Sequence, residues 1–202
     1  MNLFEVETPH GPARVYLDET ADHVGLLMLG HGAGGGVGAP DLTVAADAAK
    51  AAGMSVALVE QPYRVAGRKS PAPASQLDIA WQAVAARLRA AHLGETPLIS
   101  GGRSSGARVA CRTASDVGAA AVLCLAFPEH PPGKPEKSRQ SELDAVEMPV
   151  LVVQGRSDPF GMPTQSPTHE IAPVNGNHGL KSDLEAVQAA VSEWLGRMVE
   201  AV

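Results

Sequence analysis

Leu3 to Glu7 and Ala13 to Leu17 alternate apolar and polar residues about a His10-Gly11-Pro12 turn. That period predicts a half-buried antiparallel hairpin. Val24 to Leu29 is apolar without alternation, as expected of a strand covered on both faces. It runs into a glycine-rich turn, Gly30 to Gly38. A helix is expected next, with Asp41 as its N-cap and Gly53 just past its end. Met54 to Val59 is the next buried strand, and the Pro/Gly-rich Gln61 to Pro73 reads as a loop. Ser75-Gln-Leu-Asp78 reads as a capping box opening a helix whose inner face is Leu77, Trp81, Val84 and Leu88. A short strand at Pro97 to Ser100, a helix at Ser105 to Ser115 and a strand at Ala119 to Phe127 follow. Pro128 to about Arg139 is a charged, Pro-rich loop. Pro149 to Val153 and His169 to Val174 are the last strands. Ser182-Asp-Leu-Glu185 caps a final helix with Leu184, Val187, Val191, Trp194 and Met198 on its apolar face.

Strands alternating with helices predict an α/β fold: a mostly parallel sheet between two helical layers, with an N-terminal hairpin. No repeat or linker interrupts the pattern, and 202 residues fit a single domain, 1–202. Ligands of such sheets bind at the carboxyl ends of the strands, so a candidate residue must lie just after a strand.

Composition narrows the function. Sixteen Lys and Arg against twenty-two Asp and Glu leave a formal charge of −6, without a basic tract, so no nucleic-acid partner is expected. Seven aromatics are few for a stacking surface. Cys111 and Cys124 lie in apolar runs and read as buried free thiols of a reducing compartment. The acidic N-terminus lacks a signal-peptide charge pattern, and the longest apolar stretch, Ala119 to Phe127, is too short to span a bilayer. The expectation is a cytoplasmic protein without membrane contact, acting on a small molecule. No cofactor or metal is expected, and the sequence sets no oligomeric state.

Gly102-Arg103-Ser104-Ser105-Gly106 matches G-x-S-x-G. Small residues on either side let a strand turn sharply into a helix and push a serine hydroxyl out above the sheet. Asp158 follows the Val150 to Val153 strand, and His178 follows the next one. The order Ser104, Asp158, His178 is that of a nucleophile, an acid and a base in one of the three common serine-hydrolase arrangements. Glu129, after the Ala119 to Phe127 strand, is an alternative acid. The backbone N–H of Ser105, with that of Ala33 or Gly34 in the glycine-rich turn, would form an oxyanion hole. Arg64, Arg68 and Arg103 lie in loops at the same edge and could receive an anionic substrate group; His31 and His130 are further candidate substrate contacts there.

The glycine-rich turn also fits another class. Gly30-x-Gly32-x-x-Gly35 follows a strand, and Glu60 ends the next, as in a dinucleotide site. Against this, glycines continue to Gly38 and Pro40 before the helix begins. A non-catalytic binding protein on the same fold is the remaining alternative, since fold does not imply function.

Taken together, His31-Gly-Ala-Gly-Gly-Gly36, Gln61-Pro-Tyr-Arg64 with Gly67-Arg68, Gly101-Gly-Arg-Ser-Ser-Gly106, His130-Pro-Pro-Gly-Lys-Pro135, Val153-Gln-Gly-Arg-Ser-Asp158-Pro-Phe-Gly161 and Gly176-Asn-His178 resemble the α/β-hydrolase superfamily. Within it the chain looks like the small dienelactone-hydrolase-like branch that includes the testis-expressed-protein-thirty-type hydrolases. The resemblance spans nearly the whole chain. It implies a three-layer α/β-hydrolase fold and carries Ser104, Asp158 and His178 over as triad positions. Dienelactone hydrolases normally place Cys where Ser104 stands. The insertion after the Ala119 to Phe127 strand, where hydrolases often carry a lid domain, is here only a short loop. An open site without a lid and a small or polar acyl substrate are expected.

Overall fold

The computed structural model describes residues 1–200. Eight strands form one sheet: β1 (Asn2–Val6), β2 (Ala13–Asp18), β3 (Leu26–Gly30), β4 (Ser55–Glu60), β5 (Leu98–Arg103), β6 (Ala121–Leu125), β7 (Val150–Gly155) and β8 (His169–Val174). Their spatial order is β1-β2-β4-β3-β5-β6-β7-β8. β2 is antiparallel to β1 and β4, and the remaining pairs are parallel.

The α-helices are α1 (Pro40–Ala51), α2 (Pro62–Val65), α3 (Ala74–Leu88), α4 (Ser105–Thr113), α5 (Gln140–Asp144) and α6 (Leu184–Glu200), and a π-helical turn, Arg89–Leu93, follows α3. Side chains of a strand point alternately to its two faces, and this splits the core in two. Met28, Val122, Cys124 and Val152 meet Trp81 and Val84 of α3 and Val109 of α4 on one face. Leu27, Leu29, Leu123 and Val153 meet Leu42 of α1 and Val187, Val191 and Trp194 of α6 on the other. Each buried central strand therefore had to be almost wholly apolar. Ser100 is a polar exception on β5, and it is paired: the Trp81 indole N–H donates to its Oγ at 3.1 Å. Cys111 and Cys124 are buried free thiols whose sulfurs lie 3.4 Å apart. Among the described residues no helix is long and apolar enough to cross a membrane.

Local signals misplace several helix starts. α1 begins at Pro40, and Asp41 is not its cap. Proline suits the first helical position, where no N–H is needed. That frees Asp41 to turn inward, fully buried, and pair with Arg103 at 2.8 Å. No side chain caps α3, which follows Pro73 directly. Asp78 instead binds Arg112 through two contacts of 2.6 and 2.9 Å. At α6 the cap is Asp183 rather than Ser182, since its Oδ1 accepts the Ala186 N–H at 3.3 Å. Gln61 to Pro73 contains α2 and is not wholly a loop. Between β6 and β7 the chain inserts only a 3₁₀ turn, Pro135–Lys137, and α5, so no lid domain covers the sheet's edge there.

Candidate active site

β5 runs through Gly101 and Gly102 to Arg103, and Ser104 makes the turn into α4. Two close approaches impose that turn. A Cβ on Gly102 would lie 2.6 Å from the Gly30 carbonyl oxygen, and one on Gly106 would lie 2.5 Å from the same atom. Only glycine lets α4 start flush against β3. Ser104 itself takes φ +53°, a conformation costly for a residue with a side chain. Its N–H donates to the Leu125 carbonyl at 2.9 Å, which ties the strained residue to β6.

The loops after β7 and β8 are joined by backbone hydrogen bonds. Arg156 N–H donates to Val174 O and Ser157 N–H to Gly176 O, both at 2.9 Å. Gly155 sits where a Cβ would come within 2.6 Å of the Asn177 carbonyl oxygen. This crossing carries Asp158 and His178 to the same point. His178 Nδ1 lies 2.8 Å from Asp158 Oδ2, and His178 Nε2 lies 2.9 Å from Ser104 Oγ. Because Asp158 Oδ2 can only accept, Nδ1 carries the proton and Nε2 accepts from the serine hydroxyl. The Asp158 side chain is fully buried, and Phe160 N–H donates to its Oδ1 at 2.8 Å.

Glu129 is not the partner of His178. Its carboxylate accepts a hydrogen bond from Ser138 and faces His130 at 3.6 Å. Gly30 to Gly35 does not run into a helix, because α1 starts only at Pro40, and Glu60 faces Arg14 at 3.5 Å. The geometry expected of a dinucleotide site is therefore missing.

The remaining candidates separate. His31 is 3% exposed and offers little surface to a substrate. Its Nε2 accepts the Gln61 N–H at 3.1 Å, so its Nδ1 donates to Gly32 O at 2.8 Å. Arg103 is likewise engaged: beside its pair with Asp41, it donates to the His178 carbonyl at 2.8 Å. Arg64 donates to the Arg68 carbonyl and closes its own loop at 3.2 Å. Arg68 lines a separate cavity of about 300 Å³ with His10, Pro12 and Tyr63. His130 is turned to Pro131 O at 2.9 Å and backs onto Gly161. Gly32 to Gly35 forms a turn closed by Gly35 N–H to Gly32 O at 3.2 Å. Ala33 and Gly34 are its central residues, and neither N–H is taken up by that bond. Ser105 N–H is the first of α4, among those that have no partner within a helix.

Two residues of this site have no role assigned to them from the sequence. Gln154, fully buried near the end of β7, has its Nε2 2.9 Å from Asp158 Oδ2, 2.8 Å from Gly161 O and 3.0 Å from Phe127 O, so its two N–H groups are shared among three acceptors. Phe160 stacks on the His178 ring at 4.1 Å. The one available signal is a polar side chain ending an otherwise apolar strand.

Burial sets the charge states around the site. It lowers the affinity of His31 for a proton, against the hydrogen bond to Gly32. It pushes Asp41 upward, against the opposing pull of Arg103. A histidine held neutral in the fold but free to protonate when unfolded favours the unfolded chain as pH falls through its ordinary value of 6.5. Stability is therefore lost below that value, until the folded-state titration is reached. A raised Asp41 acts in the opposite sense, so the comparison must isolate His31. The fall in melting temperature between pH 7 and 5 is expected to be smaller for His31→Gln than for the parent protein. A His31→Gln profile as steep as the parent's would refute this.

The sequence pattern of the "Alpha/beta hydrolase domain" family matches residues 23–183. Solved structures show the same fold at low sequence identity. A serine hydrolase without a lid from Xanthomonas campestris superposes with a TM-score of 0.77 and 20% identity, over 97% of this chain and 94% of its own. Est1E from Butyrivibrio proteoclasticus gives 0.80 and 16%, over 99% and 100%. A dienelactone hydrolase from Anabaena variabilis gives 0.74 and 16%, over 97% and 96%. No curated protein matches this sequence.

Proposed function

The chain belongs to the alpha/beta hydrolase domain family, and from that premise we propose that it is a serine hydrolase cleaving small carboxylic esters or related acyl compounds through an acyl-enzyme on Ser104. One observation carries the reading: the unbroken hydrogen-bonded chain Ser104–His178–Asp158 at the carboxyl edge of the sheet. His178 Nε2 takes the hydroxyl proton as Ser104 Oγ attacks the acyl carbonyl. The negative charge then passes to the carbonyl oxygen, which Ser105 N–H and an N–H of the Ala33–Gly34 turn receive. Each such donor contributes about 3 kcal/mol where charge develops. The imidazolium returns its proton to the leaving group, and the C–O bond of the ester breaks. Water, deprotonated by the same nitrogen, then releases the acid.

The role of Asp158 is to hold the tautomer that leaves Nε2 free, and to offset the charge on the imidazolium. The buried amide of Gln154 and the N–H of Phe160 keep that carboxylate in place. The short β6–β7 connection supports a small substrate, because no lid there supplies an acyl-chain tunnel.

A fluorophosphonate probe is expected to label the protein at Ser104. Turnover of p-nitrophenyl esters is expected to be fastest for acetate and butyrate and negligible for palmitate. An unlabelled protein that leaves every ester intact would overturn the reading.

A further inference from the structure

We infer that Tyr63, on α2, is a positioning residue that sets the aim of the oxyanion-binding peptide between Ala33 and Gly34; the inference rests on the hydrolase reading above. The Tyr63 hydroxyl donates to the Ala33 carbonyl at 2.8 Å. The ring is 5% exposed and packed in the core, so the hydroxyl has a fixed origin. Burial also raises the phenol's affinity for its proton, which keeps it a donor. In a trans peptide the C=O and the following N–H point in opposite directions, and no cis peptide occurs among the described residues. Fixing the Ala33 oxygen toward Tyr63 therefore turns the Gly34 N–H away from it.

The neighbouring peptide is held in the same way. His31, itself bonded to the backbone of Gln61 two residues before Tyr63, donates to the Gly32 carbonyl. That turns the Ala33 N–H away from His31. Two successive carbonyls are thus tied back, Gly32 O through His31 and Ala33 O to Tyr63 on α2. Their two N–H groups are left to face elsewhere. Gly32 lies on the Ser104 side of the turn, where a Cβ would stand 3.6 Å from Ser104 Cβ. The turn is glycine-rich, and Gly34 has open space around it. The turn's own Gly35 N–H to Gly32 O bond is kept in either orientation of the central peptide, so it does not hold the Ala33–Gly34 plane. The phenol does so instead, at the moment when the donor must already be in place.

Tyr63→Phe keeps the ring and removes the donor. With p-nitrophenyl acetate, kcat is expected to fall about tenfold to a hundredfold, less than the loss for deleting a donor outright. KM should stay within about twofold, because the ground-state carbonyl makes little use of the hole. The inhibition constant of phenylboronic acid, which forms a tetrahedral adduct on serine, should rise by a similar factor. Rates are normalised to serine titrated by fluorophosphonate, well below the measured Tm, so a partly folded sample cannot imitate the effect. An unchanged kcat per titrated serine, or a rise in KM alone, overturns the inference while the hydrolase reading stands. A parent protein that neither labels nor turns over the ester overturns both.

Discussion

Ser104→Ala is expected to lower kcat on p-nitrophenyl acetate by about 10⁴- to 10⁶-fold and to abolish labelling by fluorophosphonate. The size follows from the unit the residue belongs to. Without the hydroxyl, His178 Nε2 has no proton to accept and no covalent intermediate can form. On the proposed mechanism what remains is the oxyanion hole and the substrate's placement, which together still speed attack by water. Fold stability should hold or rise, because Ser104 is strained at φ +53° by the turn and not by its hydroxyl. Alanine keeps the Cβ, so the backbone cost is unchanged. Among the described residues the hydroxyl's partner is His178 Nε2, which is partly open to water and can be solvated in its place. Rates of ester hydrolysis and intact-mass spectra after labelling check both halves. Parent-like turnover by Ser104→Ala would place the nucleophile elsewhere.

Why Ser104 is legible in the sequence, and Gln154 is not, is a question of what a linear pattern can carry. A G-x-S-x-G segment after an apolar run encodes its own geometry, because the two glycines are demanded by the Gly30 carbonyl that faces them. The order of the buried strands encodes the sheet in the same way, since a strand covered on both faces has little room for a polar side chain. Helix starts are less legible. Ser75, Ser182 and Asp41 each have the chemistry of a cap, but Pro73 and Pro40 set two of those starts through the backbone alone. Asp41 and Arg103 are sixty-two positions apart in the chain, and neither residue type announces the other. The same holds for Tyr63 and Ala33, and for His31 and Gln61. Strand-end position alone makes His31 and Arg103 look available to a substrate. Only their three-dimensional neighbours reveal that both side chains already direct their hydrogen bonds to the protein's own backbone.

Asp158→Asn is expected to reduce kcat by about 10³- to 10⁴-fold near neutral pH, whereas Glu129→Gln should leave it within about twofold. Three donors converge on the Asp158 carboxylate: Phe160 N–H on Oδ1, and Gln154 Nε2 and His178 Nδ1 on Oδ2. An amide has one acceptor oxygen and one donor nitrogen, so no orientation of the substituted asparagine satisfies all three. With its nitrogen toward His178, it confronts the Gln154 amide and drives the imidazole into the tautomer that blocks Nε2. With its nitrogen toward Phe160, it keeps the tautomer but leaves the Phe160 N–H unpaired. In both orientations the negative charge that offsets the imidazolium is gone. Glu129 has none of these contacts, since its carboxylate belongs to Ser138 and His130. Steady-state kinetics on the two variants, normalised to titrated serine, decide between the two acids. A larger loss for Glu129→Gln than for Asp158→Asn would assign the acid to the loop after β6 instead.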